Sequence, residues 1–131
     1  MKSNKPIRLL FFVGGLYDGL LGCMFLFCGE YILWLFGVTP PNHPGYLQFP
    51  AALLLIFGFM FATIAANPMK NRNLIPYGIL LKVAYCGVIG FHWFTDGIPY
   101  MWKPFFVCDL VFLVLFLLAI RTLDGQASKT T

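Results

Sequence analysis

An all-α membrane domain, a bundle of four transmembrane helices, is the fold class that this sequence predicts, and three observations predict it. Hydrophobic residues make up 60% of the 131 positions and charged residues 11%, whereas a soluble domain is about half apolar and about a quarter charged. Mean hydropathy is +0.80. The apolar residues gather in four runs, each near the ~20 residues a helix needs to cross the hydrocarbon core. The runs are continuous rather than alternating, which argues against strands.

The spans fall at about 9–28, 49–66, 74–93 and 105–123. They make a single domain, 1–131, with no internal repeat. The first run is interrupted at Gly29-Glu30; the aromatic segment 31–38 after it either prolongs the helix or lies in the interface as a short amphipathic turn. Pro50, Pro76 and Pro104 each stand near the start of a run, where a missing N–H costs little. Asn67-Pro68 stops the second. Residues 126–131 read as a loose tail.

Loop charge sets the orientation. Lys2, Lys5, Arg8, Lys70, Arg72, Arg121 and Lys129 share one side of a four-span chain, and only Lys103 lies on the other. The positive-inside rule then puts both termini in the cytoplasm, N-in and C-in. The net charge of +4 is scattered over helix ends without a basic patch, so no nucleic-acid partner is expected. Lys2 to Arg8 before an apolar run is the pattern of a signal peptide, and Leu20-Leu21-Gly22-Cys23 resembles a lipoprotein cleavage site. Asp18 inside the would-be signal core, and an apolar run that continues past Cys23, argue against both.

The side opposite the termini is aromatic, with Trp34, Trp93, Trp102, Tyr31, Tyr46 and Tyr100. An interfacial belt accounts for it; a docking surface or pocket mouth is the alternative. The loop 38–48 is stiffened by Pro40, Pro41 and Pro44. Asn42, His43 and Gln48 on it, with His92 at the end of the third span, form a candidate outer site. Glu30 and Asp96 are near in the topology, but no ligand spacing supports a metal, and none is expected.

The ionisable residues within the spans carry more information. A charge at bilayer depth costs at least ~2.5–3.5 kcal/mol on insertion scales, so such groups face the bundle interior and pair. Asp18 and Lys82 lie about nine and eight residues in from the same side, level to within about one turn, and form the preferred ion pair. Asp109 is placed ~10 Å higher by the same rise, too far for Lys82 to hold both carboxylates. Lys82, Tyr85, Ile89 and His92 share one helix face, as do Gly14, Asp18, Leu21 and Phe25. Tyr85 is expected to bridge toward Asp109, which gives an intramembrane polar column of Asp18, Lys82, Tyr85 and Asp109, with Ile89 separating His92 from it. The column is either a structural network that fixes helix register or a proton path, ion path or ligand anchor. Gly14, Gly15, Gly19, Gly22, Gly58, Gly78, Gly87 and Gly90 permit close helix contact, Gly15 and Gly19 as a small-xxx-small pair.

Nothing points to catalysis. There is no phosphate-binding loop, dinucleotide fingerprint or Ser–His–Asp arrangement, and no catalytic residue or cofactor is expected. The four cysteines lie in apolar segments and read as small buried hydrophobes. Cys23 and Cys28 are about 140° apart round a helix; Cys28 and Cys108 are the one thiol pair placed to meet.

Several stretches resemble a group of small uncharacterised four-helix bacterial membrane proteins, broadly DoxX-like, over roughly residues 10–118. They are Tyr17 with the Gly-rich turn after it, Pro40-Pro41-Asn42-His43-Pro44 running on to Leu47-Gln48, Asn67-Pro68 before a basic loop, Gly78-Ile79-Leu80-Leu81-Lys82, and Asp109-Leu110. Helix 4 departs from the group, with Cys108 before the Asp and Val111 and Phe112 after it where Asn and tryptophans are commoner. The resemblance implies four spans in a bacterial inner membrane, marks Asn42, Gln48, Lys82 and Asp109, and suggests an accessory role beside redox enzymes.

Three functions are therefore carried forward. The first is a non-catalytic accessory or assembly subunit of a larger membrane complex, with lipid and other membrane subunits as partners. The second is a small transporter or channel, a homo-oligomer, using the Asp/Lys network. The third and weakest is a quinone- or thiol-linked redox enzyme.

Overall fold

The computed structural model describes residues 4–130; Lys2 and Thr131 lie outside them. Four helices, α1 (Lys5–Leu35), α2 (Gly45–Ala66), α3 (Ile75–Thr95) and α4 (Trp102–Thr130), carry the fold, with a 3-10 turn, Arg72–Leu74, leading into α3. No strand occurs among the described residues. All four helices are long and apolar enough to cross a membrane.

The helices overrun the apolar runs, and the reasons are local. α1 kinks at Cys28 (φ −128°, ψ 20°), one residue before the expected break. It then resumes, so residues 31–35 prolong α1 rather than forming a separate interfacial turn. Gly37, with φ +67°, ends it; the Val38 N–H returns to the Leu33 carbonyl at 2.8 Å, a C-terminal closure that needs a left-handed residue. α2 begins at Gly45, so Pro50 sits inside the helix instead of near its start. At its far end the Asn67 side chain accepts from the Lys70 N–H (3.1 Å), and Asn71 Nδ2 donates to the Thr63 carbonyl (3.0 Å). These bonds satisfy backbone groups that helix termini leave orphaned. α4 runs to Thr130, so residues 126–130 of the tail expected to be loose continue the helix.

The chain runs up and down. Gln126 Nε2 donates to Asn4 Oδ1 at 3.1 Å, and Arg72 lies 3.5 Å from Asp124. Both chain ends and the α2–α3 connection thus share one end of the bundle. That end is closed by a core drawn from all four helices, including Phe11, Phe61, Ile75 and Phe116, with Phe11 stacked on Phe116 at 4.6 Å. The opposite end is held by a smaller cluster of Phe25, Leu33, Ala51 and Met101. α1 lies along α2 and α3 along α4, whereas α2 with α3 and α1 with α4 meet only sparsely.

The α1–α2 contact is backbone against backbone. A Cβ on Gly22 would stand 2.7 Å from the Ala51 carbonyl oxygen, and one on Gly58 would stand 2.9 Å from Gly19 Cα and 3.0 Å from the Gly15 carbonyl oxygen. The Gly15/Gly19 pair therefore packs within this chain, through small residues that let helices close up without a hydrophobic driving force.

Met101, just before α4, is only 5% exposed. The Trp102 carbonyl, in the first turn of α4, accepts from Tyr85 Oη at 3.3 Å, and the Phe106 carbonyl lies 3.9 Å from Cys86 Sγ. Lys103 Nζ stands 5.3 Å from the centroid of the Trp93 ring, and Trp93 packs on Phe106, so the first turns of α4 lie beside the last turns of α3. Gly97 turns the chain at φ +86°, and the segment that follows stays largely exposed until Met101.

Candidate functional site: a buried ion cluster beneath an apolar cavity

Lys82 is fully buried on α3. Its ammonium donates to Asp18 Oδ2 on α1 (2.9 Å), Asp18 Oδ1 (3.0 Å) and Asp109 Oδ1 on α4 (2.9 Å). An ammonium has three N–H bonds, and all are used. Asp18 and Asp109 are 1% and 7% exposed. The expectation that Lys82 holds Asp18 alone is corrected here. Counting depth in backbone rise left out the reach of the lysine side chain, whose long stem carries the Lys82 ammonium to both carboxylates.

Aromatic rings complete the enclosure. The ammonium lies 5.4 Å from the centroid of Tyr17, 5.9 Å from Phe61 and 5.2 Å from Phe112, within the range where ring quadrupoles stabilise a cation. These three rings were absent from the sequence-level site. Tyr17 adjoins Asp18 in sequence, but Phe61 and Phe112 are indistinguishable there from other core phenylalanines.

Tyr85 does not bridge to Asp109 by a hydrogen bond. Its hydroxyl is taken by the Trp102 carbonyl, so it ties α3 to α4 and lines the space above the cluster. Tyr17 is the polar exception: its hydroxyl is buried with no hydrogen-bond partner among the described residues. The Cys108 thiol lies beside it, outside hydrogen-bond geometry. A buried polar atom left unpaired is uncommon and unfavourable.

Above the cluster is a cavity of about 370 Å³. Asp18 and Asp109 line it, and all four helices contribute, including Leu21 and Phe25, Leu54 and Phe57, Tyr85 and Ile89, and Trp102 and Phe105. The size lies at the lower end of small-molecule sites, which are typically apolar with a few placed polar groups. The cavity is not sealed. Leu53 on its wall is 39% exposed, and α2 and α3, which both line the cavity, meet only sparsely along their length. Trp102, expected in an interfacial belt, instead stacks on Phe25 at 5.9 Å over the cavity. Trp34 stays on the surface at 72% exposed.

The candidate outer site does not assemble. His43 Nδ1 accepts from the Gly45 N–H at 2.9 Å and serves the turn before α2. His92 bonds Asp96 at 2.9 Å on its own helix end, a contact that holds the exposed Asp96 carboxyl below the usual carboxylate range. Asn42 and Gln48 are exposed, and Gln48 borders a separate recess beside Cys28 and Glu30. No group of three or more His, Cys, Asp or Glu capable of holding a metal exists among the described residues. Cys28 and Cys108 are both free and exposed.

Compared with known protein families, with curated proteins and with solved structures, the chain matches none.

Proposed function

We propose that this chain is a multi-pass membrane protein, with both termini in the cytoplasm, that takes a small, largely apolar molecule into its cavity. It would hold the molecule's polar end at the Asp18–Lys82–Asp109 cluster, in a carrier role rather than a catalytic one. The observation that carries the reading is the position of the cluster. A purely structural ion network can be buried anywhere between helices, yet here two carboxylates stand at the floor of a space that none of the described residues fills. Burying carboxylates is expensive enough that placing them at a void, rather than in packed side chains, favours a use for the void. The gap between α2 and α3 offers a lateral way in from the bilayer.

This reading moves weight from the accessory subunit to the transporter among the functions the sequence suggests. Native mass spectrometry of the protein, extracted in mild detergent from its own membrane, separates the two. A monomer or homo-oligomer carrying a small molecule is the expected result. A fixed-stoichiometry complex with other polypeptides, and no small molecule, would overturn the carrier reading in favour of the subunit.

A further inference from the structure

The cluster is unbalanced. It holds two carboxylates and one ammonium, and Lys82 has given all three N–H bonds. Asp109 accepts through Oδ1 only. Its Oδ2 has no partner among the described residues, and Asp109 lines the cavity. With one proton bound the cluster is neutral; without it, one negative charge stands uncompensated at bilayer depth, where charge is unfavourable. The other titratable groups that face the cluster are Tyr17 on α1, Tyr85 and Cys86 on α3, and Cys108 on α4. None of them supplies a positive charge. α2 offers the cavity only apolar side chains, from Leu47 to Phe57.

The walls indicate what replaces the proton. Tyr17, Phe25, Phe57, Trp102 and Phe105 all line the cavity, and aromatic rings attract organic cations. A bare metal ion is a poor fit. Hard cations take about six oxygen ligands, and here the oxygens are those of two carboxylates already engaged by Lys82 and two tyrosine hydroxyls. The unpartnered Tyr17 hydroxyl gives a bound molecule one further polar contact.

We propose that the cavity's ligand is a hydrophobic monovalent organic cation, which enters against the Asp109 carboxylate as one proton leaves. The proposal rests on reading the cavity as a small-molecule site. One O–H bond on the cluster breaks, the proton passes to bulk water, and the cation takes over its charge. No redox change occurs, and the site is neutral before and after. Such a site binds a cation more weakly as pH falls, because protons compete for the same carboxylate. In the proton-saturated range the loss is about tenfold per pH unit for one proton exchanged.

The test uses the full chain in lipid nanodiscs with two probes, 4-phenylbutyl-trimethylammonium and its uncharged isostere with carbon in place of nitrogen. Saturable binding is measured by equilibrium dialysis across a pH series, and proton release is followed with an indicator in weak buffer. The proposal expects the cation to bind at least about tenfold tighter than the isostere, to release about one proton per cation bound, and to weaken with falling pH. Asp109→Asn should abolish the release and Asp109→Glu should restore it, each variant's thermal unfolding confirming that it is folded. Equal binding of both probes would overturn the cation assignment and leave the cavity reading standing. Cation binding without proton release would overturn the exchange. Failure of both probes to bind would overturn the cavity reading and the proposal with it.

Discussion

Lys82 is the residue on which the interior turns. It neutralises Asp18 and reaches Asp109 at the same time, so its removal leaves two buried carboxylates without a counterion. Breaking a buried charge network by deleting one partner typically costs about 3–5 kcal/mol, although replacing the whole network with apolar or neutral groups is often tolerated. Lys82→Met is therefore expected to be strongly destabilising, by about that amount. Asp109→Asn, which leaves the Lys82–Asp18 pair intact, should stay within about 1 kcal/mol of the parent. The triple variant Asp18→Asn/Lys82→Met/Asp109→Asn should regain most of the stability lost in Lys82→Met. Thermal unfolding in detergent checks all three. A Lys82→Met protein as stable as the parent would show that the cluster is not ion-paired.

At the scale of elements, the α1–α2 pair depends on bare backbone. Gly22 meets the Ala51 carbonyl and the Leu55 backbone where a Cβ would stand, so Gly22→Leu must push the helices apart. Overpacking of this kind typically costs about 1–3 kcal/mol. The control is Gly87→Leu, where a Cβ meets nothing; there little change is expected in the same unfolding assay. The spans were legible because lipid demands long apolar runs. Helix ends were not, because Lys5–Arg8 and Gln126–Lys129 are helical without a hydrophobic signal, while the apolar Tyr31–Leu35 is set off from its run by Gly29-Glu30. In the site, Asp18, Lys82 and Asp109 stood out as charges in apolar segments. What the residues could not reveal was that one lysine reaches both carboxylates and that Trp102 turns over the cavity, because depth counted in backbone rise ignores how far a side chain extends. His43 and His92 drew notice as polar residues near membrane ends, yet each serves only its own turn or helix end.

For the whole molecule, the apolar exterior and the charge distribution belong together. Large side chains such as Phe27 and Phe94, 78% and 80% exposed, suit an apolar surrounding such as lipid. The basic residues gather at the end that holds the termini, which predicts that end in the cytoplasm. In intact cells, on a cysteine-free background, a membrane-impermeant thiol reagent should label His43→Cys directly and Ala127→Cys only after permeabilisation. The reverse pattern would invert the orientation.

The central claim is that the space above the Asp18–Lys82–Asp109 cluster receives a small molecule. Equilibrium dialysis of the 4-phenylbutyl-trimethylammonium cation against nanodisc-embedded protein, parent and Leu54→Trp compared side by side, tests it most directly. Leu54 lines the cavity, and an indole there takes up part of its volume while leaving the charged residues of the cluster unchanged. The account predicts saturable binding to the parent that weakens at least about tenfold, or about 1.4 kcal/mol, in the filled variant while its unfolding temperature holds. Equal binding to both proteins, or none to the parent, would contradict it.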